Sequence, residues 1–170
     1  VDFGTAEVSH QQKMIQVKYL VMSFPYSNAA YVWFLPSENI ECFLTGLQAI
    51  LQQVGAVPRK IWFDNLSAAV VKVRGRDRKT TEEFRRFALH YGFQYEFCNV
   101  GEGHEKGNVE NKVGFTRRNW MVPLPHLKTW EDLNAQMKKR SEHALERSHY
   151  EKKQPIGTLF QEEKMKMQLF

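Results

Sequence analysis

The sequence predicts an α/β fold, a mixed sheet of three antiparallel strands followed by parallel strands, flanked by helices. Three observations carry that prediction. Three strand-like apolar segments open the chain with only short connections between them. A long stretch with apolar residues at three- and four-residue spacing comes next. After it, strand and helix patterns alternate, as crossover connections to parallel strands require.

The elements follow in order. Residues 1–7, with Val1-Asp2-Phe3 at their head, read as a strand. A second strand spans residues 14–24, where Ile15, Val17, Tyr19 and Val21 alternate at period two. Ser27-Asn28 marks a turn, and residues 30–35 form a third strand that Pro36 ends. Ser37 is the expected N-cap of a helix carrying Ile40, Phe43, Leu44, Leu47, Ile50, Leu51 and Val54, which Gly55 closes. Residues 60–63 are a short strand running into Asp64-Asn65, and residues 68–73 lead into a basic stretch as a short strand or helical turn. Thr80 with Glu83 suggests a capping box for a helix bearing Phe84, Phe87, Ala88 and Tyr91, stopped by Gly92 before a strand at 93–97. A loop containing Gly101, Glu102, Gly103, His104 and Glu105 precedes a helix at about 106–120. Thr129 with Asp132 opens a last long helix to about 150, and the residues from Gln154 on read as an appendage leading out of the domain.

Composition narrows the function classes. Hydrophobic residues are 42% and charged residues 25% of 170, enough for one packed core, and no run is long and apolar enough for a membrane helix. The chain opens directly on a strand with no leader, and reads as a fragment of a longer protein from a reducing cytoplasm. Cys42 and Cys98 stand far apart with no CxxC pair, which argues for buried free thiols and against a zinc or redox module. The net charge of +5 points to a polyanionic partner. Lys72, Arg74, Arg76, Arg78 and Lys79 alternate along one stretch, either a DNA-contacting hairpin or a merely solvated one.

Three acids are candidates for metal-assisted phosphodiester chemistry. That chemistry needs hard oxygen ligands converging from separate elements, with two ions about 3.5–4 Å apart. Asp2 sits between Val1 and Phe3, and Asp64 follows Ile61-Trp62-Phe63 at the carboxyl end of its strand. Glu110 lies at the edge of the helical stripe formed by Val109, Val113 and Trp120, with Lys106, Gly107, Gly114 and Arg117 around it. Taken singly, the two aspartates also suit caps or turns, and Glu110 suits a surface pair with Lys106.

Val1-Asp2-Phe3-Gly4, Trp62-Phe63-Asp64-Asn65-Leu66 and Lys106-Gly107-Asn108-Val109-Glu110 together resemble the transposases of the IstA type, members of the DDE superfamily that includes retroviral integrases. The resemblance implies an RNase H-like catalytic core over residues 1–125. Residues 126–170 would then be a helical extension and the start of a linker to a missing C-terminal domain, with Gln161-Glu162-Glu163-Lys164 matching the family's linker. It implies Asp2, Asp64 and Glu110 as catalytic and metal-binding residues, holding two Mg²⁺ or Mn²⁺ ions for transposon-end cleavage and strand transfer. It also implies duplex DNA, further transposase subunits and a helper ATPase as partners, with no membrane. At the positions matching Gly114 and Arg117, retroviral integrases carry DNA-contacting basic residues, so only Arg117 carries over, with Arg118 beside it. Lys72, Arg74, Arg76, Arg78, Lys106, Arg117 and Arg118 are the expected DNA-binding set.

Rival readings remain. Glu102 and Glu105 compete with Glu110 for the third position, from a loop poorly suited to a precise ligand. His104 could assist a metal or phosphate, or simply be a solvated loop histidine. A structure-specific nuclease or a non-catalytic DNA-binding module would share the fold. Residues 1–5 also resemble the first phosphate motif of actin-like sugar kinases, but no second glycine-rich phosphate motif follows and the chain is too short for two lobes.

Overall fold

The computed structural model describes residues 1–64, 70–74, 77–98 and 112–170. Three antiparallel strands lead: β1 (Asp2–His10), β2 (Lys13–Ser23) and β3 (Ala30–Leu35). The period-two pattern of β2 fixes its register, with Asp2 opposite Val21 and Gly4 opposite Tyr19 on one side, and Tyr19 opposite Phe34 on the other. Helix α1 (Ile40–Val54) and strands β4 (Ala56–Val57) and β5 (Lys60–Phe63) follow. Next come β6 (Val70–Arg74), β7 (Asp77–Thr80), helix α2 (Glu82–Tyr91) and strand β8 (Gln94–Phe97). Residues 112–119 are helical and are termed α3. Helices α4 (Trp130–Ala144) and α5 (Ile156–Lys164) and the short β9 (Gln168–Leu169) complete the chain.

β5 and β8 pair in parallel, and β5 joins β1 through two hydrogen bonds. The Val1 nitrogen donates to the Trp62 carbonyl at 2.7 Å, and the Asp64 N–H donates to the Val1 carbonyl at 2.9 Å. This bracketing of one residue by two bonds is the parallel pattern. The central order is therefore β3-β2-β1-β5-β8, antiparallel then parallel, as the sequence predicts.

Helices cover both faces. On one face α1, α2 and α5 enclose a core of Leu20, Phe43, Leu47, Ile50, Ile61, Phe63, Phe84 and Phe160. On the other, α3 and α4 pack Val113, Phe115, Leu133 and Met137 against Val8, Val17, Tyr19, Val21 and Phe34. Strand β3 is an edge of this sheet, and α4 covers it chemically as well as sterically. Buried Asn134 accepts from the Phe34 N–H at 2.6 Å and donates to the Phe34 carbonyl at 3.3 Å. A sheet edge left with unpaired backbone groups is a liability that this side chain removes.

Several boundaries move. The cap of α1 is Asn39, not Ser37, because the Asn39 side chain accepts from the Cys42 N–H. The cap of α2 is Thr81, not Thr80; its hydroxyl accepts from Phe84 N–H, and Thr80 instead ends β7 and bonds Tyr95. Thr129 caps α4 as predicted, and Gly55 and Gly92 close their helices in the left-handed conformation. Cys98 is buried, but Cys42 is only partly so.

The largest correction concerns the C-terminal residues, which do not lead away from the domain. Ile156 and Phe160 enter the first core, with the Phe160 ring 4.9 Å from that of Phe24. Glu162 and Glu163 are fixed by hydrogen bonds from Tyr26 and Ser27. β9 then pairs antiparallel with β4. The sequence pattern misleads because α5 is short: one apolar turn, Ile156, Leu159 and Phe160, is buried, and its second turn is held by polar contacts of Glu162 and Glu163.

Candidate active site

The parallel pairing of Val1 with Phe63 sets the site. Both side chains belong to the first core, Val1 7% and Phe63 0% exposed. The next residue on each strand is Asp2 and Asp64, so alternation turns both toward the opposite face. Asp2 is half-buried and its carboxylate accepts from the Phe3 N–H at 2.7 Å. Asp64 is 5% exposed and is held on its other side by β8, where the Cys98 N–H donates to the Phe63 carbonyl. Two carboxylates thus stand abreast on adjacent strands that are hydrogen-bonded on both flanks. Such oxygen donors suit a hard divalent cation such as Mg²⁺ or Mn²⁺. Among the described residues there is no cluster of three metal-ligating side chains.

Helix α3 docks on this same face. The Tyr19 hydroxyl, rising from β2, donates to the Val113 carbonyl at 3.1 Å. Gly4 makes that possible: a Cβ there would run into the Tyr19 ring, so the glycine of the Val1-Asp2-Phe3-Gly4 string leaves space for the phenol that tethers the helix. Burial pushes the Tyr19 pKa up, the Thr116 hydroxyl and the Arg117 charge pull it down, and the Asp2 charge raises it. Arg117 and Asp2 therefore both lie within electrostatic reach of this hydroxyl. Lys112, one helical residue earlier than Val113, is 7% exposed, and burial with the neighbouring Arg147 charge lowers its pKa to about 8.

The remaining predicted residues divide into three groups. Glu110 and Lys106, with the rivals Glu102, His104 and Glu105, lie outside the described residues. Lys72, Arg74 and Arg78 fall on the β6–β7 hairpin, in which Lys72 pairs with Lys79, Val73 with Arg78 and Arg74 with Asp77; Arg76 lies outside the described residues. Arg117 and Arg118 are exposed on α3. Sequence reasoning missed Tyr19, Lys112 and Arg147. The signal for Tyr19 was the glycine opposite it, and for Lys112 its place two residues beyond Glu110.

The fold is that of retroviral integrase catalytic cores. The chain superposes on the HTLV-2 integrase catalytic core domain in complex with magnesium with a TM-score of 0.59 and 14% identity, covering 94% of this chain and 93% of that one. An intasome of simian T-cell lymphotropic virus, in complex with the PP2A regulatory subunit B56 gamma, gives a TM-score of 0.67 at 12% identity over 94% of this chain and 52% of that one.

In sequence the chain is similar to bacterial transposases. It is 31% identical over 136 residues to a transposase of Aminobacter aminovorans, covering 79% of this chain and 26% of the relative. It is 33% identical over 90 residues to the transposase for insertion sequences IS1326/IS1353 of Pseudomonas aeruginosa, covering 52% of this chain and 18% of the relative. No family model matches. In fold the chain matches integrase catalytic cores, and in sequence it is similar to insertion-sequence transposases. It spans between 18% and 43% of the length of the curated relatives it matches. Among the described residues no helix is long and apolar enough to cross a membrane.

Proposed function

We propose that this chain is the catalytic core of a DDE-type DNA transposase of the IstA kind. On this reading Asp2, Asp64 and Glu110 hold two Mg²⁺ or Mn²⁺ ions and carry out end cleavage and strand transfer. The observation that carries the proposal is the abreast placement of Asp2 and Asp64 on the face where α3 docks. Glu110 precedes Val113 by three positions in the sequence. Divalent ions bound there would activate an attacking oxygen and offset charge on the leaving one.

The chain's own residues supply the rest. Asp2 and Asp64 present their carboxylates from a rigid strand pair, so little reorganisation is needed as the scissile phosphate arrives. Tyr19 holds α3 at a fixed height above them, and Arg117 offers a cation to a phosphate oxygen beside Asp2. Lys72, Arg74, Arg76, Arg78, Lys106, Arg117 and Arg118 would grip the duplex backbone. The relatives' names support DNA transposition, and assembly with further subunits and a helper ATPase belongs to the same proposal.

The test uses a protein carrying the flanking regions. Asp64→Asn keeps side-chain size but removes the charge a divalent ion requires, so end cleavage and strand transfer should fall on the order of 10⁴-fold while DNA binding stays near normal. Turnover should need Mg²⁺ or Mn²⁺, and Ca²⁺ should support binding only. Undiminished cutting by Asp64→Asn would overturn the assignment.

A further inference from the structure

A cavity of about 410 Å³ opens between α3, the end of α4 and the start of α5, apart from the two aspartates. Its wall carries three cations, Lys112, Arg118 and Arg147, and three aromatic rings, Phe115, Trp120 and Tyr150. Lys112, Phe115 and Arg118 recur every three residues and so share one face of α3. The Lys112 ammonium lies 4.9 Å from the Phe115 ring centroid, and the Arg147 guanidinium lies 5.1 Å from the same ring. Arg118 folds back over Gly114, where an added Cβ would meet its Nη1 at 2.8 Å. Among the described residues no carboxylate pairs with any of the three. Lys112 is 7% exposed, and a buried cation is ordinarily paired. Two like charges converging on one ring, one of them buried, make a place for an anion.

We propose that this cavity binds one nucleotide of a single DNA strand, its phosphate held between Lys112 and Arg147 and its base against the aromatic wall. The proposal rests on the transposase reading and extends it to a strand-holding subsite beside the catalytic face. Single-strand sites combine a cationic track with aromatic platforms, which is the composition found here. The recess admits a nucleotide but not a duplex, and Tyr150, 69% exposed and stacked on His149 at 4.9 Å, stands at its rim.

The experiment measures binding of a labelled single-stranded oligonucleotide, and of a duplex of the same sequence, by fluorescence anisotropy across a salt series with the whole 170-residue chain. Arg147→Gln should weaken single-strand binding about five- to tenfold and reduce the salt slope by about 0.7, the share of one neutralised phosphate. Duplex binding should change less than about twofold. Lys112→Gln should act in the same direction, and inorganic phosphate at millimolar concentration should compete with wild type but not with the double variant. Lys139→Gln, an exposed α4 cation away from the cavity, should bind as wild type. Because Arg147 is exposed, its variant stays interpretable even if Lys112→Gln fails to fold. Unchanged single-strand affinity in Arg147→Gln overturns the proposal, as does an equal loss for duplex, or competition by phosphate with no effect on the oligonucleotide. Cutting by Asp64→Asn is read in a separate assay, so this proposal and the transposase reading fail independently.

Discussion

The two faces of the central sheet are built from different materials. The first is closed with aromatic rings: Phe43, Phe63, Phe84, Phe93 and Tyr95 are linked through ring contacts 4.8–6.4 Å between centroids, edge to face, tilted or stacked. The second mixes apolar contacts with buried polar groups, Lys112, Thr116, Asn134 and Ser141, all on α3 and α4. Aromatic packing is non-specific about chemistry and strong, whereas each buried polar group must find a partner. The lesson is a division of labour. The first face holds the strands rigid, so the second can carry carboxylates and cations at fixed positions.

Substitutions should separate the two faces. Phe84→Ala, at a fully buried ring on the first face, should lower stability by about 3–5 kcal/mol in urea unfolding. A loss under about 1 kcal/mol would mean that this face is not the structural one. Gly4→Ala should destabilise by about 1–3 kcal/mol, because the new methyl displaces the Tyr19 ring. It should also impair cleavage, since that ring tethers α3; normal cleavage would remove Tyr19 from the account. Tyr19→Phe should change stability by only about 1 kcal/mol, one hydrogen bond, yet reduce cleavage more than Phe84→Ala does at a temperature where both are folded. Replacing Arg74, Arg76 and Arg78 with Ala should leave the melting temperature almost unmoved. It should lower the salt slope of duplex binding by about 0.9 for each phosphate that the protein ceases to neutralise. An unchanged slope would make the β6–β7 hairpin a solvated one.

How legible each face is in the sequence follows from the same difference. The first face is written in periodicity: Phe43, Leu47, Ile50 and Val54 mark α1, and Ile61 with Phe63 marks β5. The fold class comes from those patterns, whereas the order of the strands in the sheet comes from the hydrogen bonds of Val1 and from the β5–β8 pairing. The second face is visible only where acids stand beside apolar residues, at Asp2 and Asp64. Tyr19 looks like one more apolar strand residue, and its link to Val113 spans 94 positions. Arg147 sits past the last predicted capping signal and meets Phe115 only in three dimensions. Asn134 lies in a helix of weak amphipathicity, where nothing announces that it pairs a strand edge. Helix α5 escapes notice for a related reason, since short helices anchored by carboxylates leave little hydrophobic signal. Local patterns record burial well and long-range polar contacts poorly.

The central proposal is that Asp2, Asp64 and Glu110 act as a unit in catalysis. End cleavage with Mn²⁺ should be measured for Asp2→Asn, Asp64→Asn, Glu110→Gln and the triple variant, alongside Glu102→Gln and Glu105→Gln. Each single loss among the three acids should be nearly as severe as the triple, because residues that act together are strongly non-additive. Glu102→Gln and Glu105→Gln should cut normally. A Glu110→Gln protein that still cuts, beside a Glu102→Gln or Glu105→Gln protein that does not, would contradict the account.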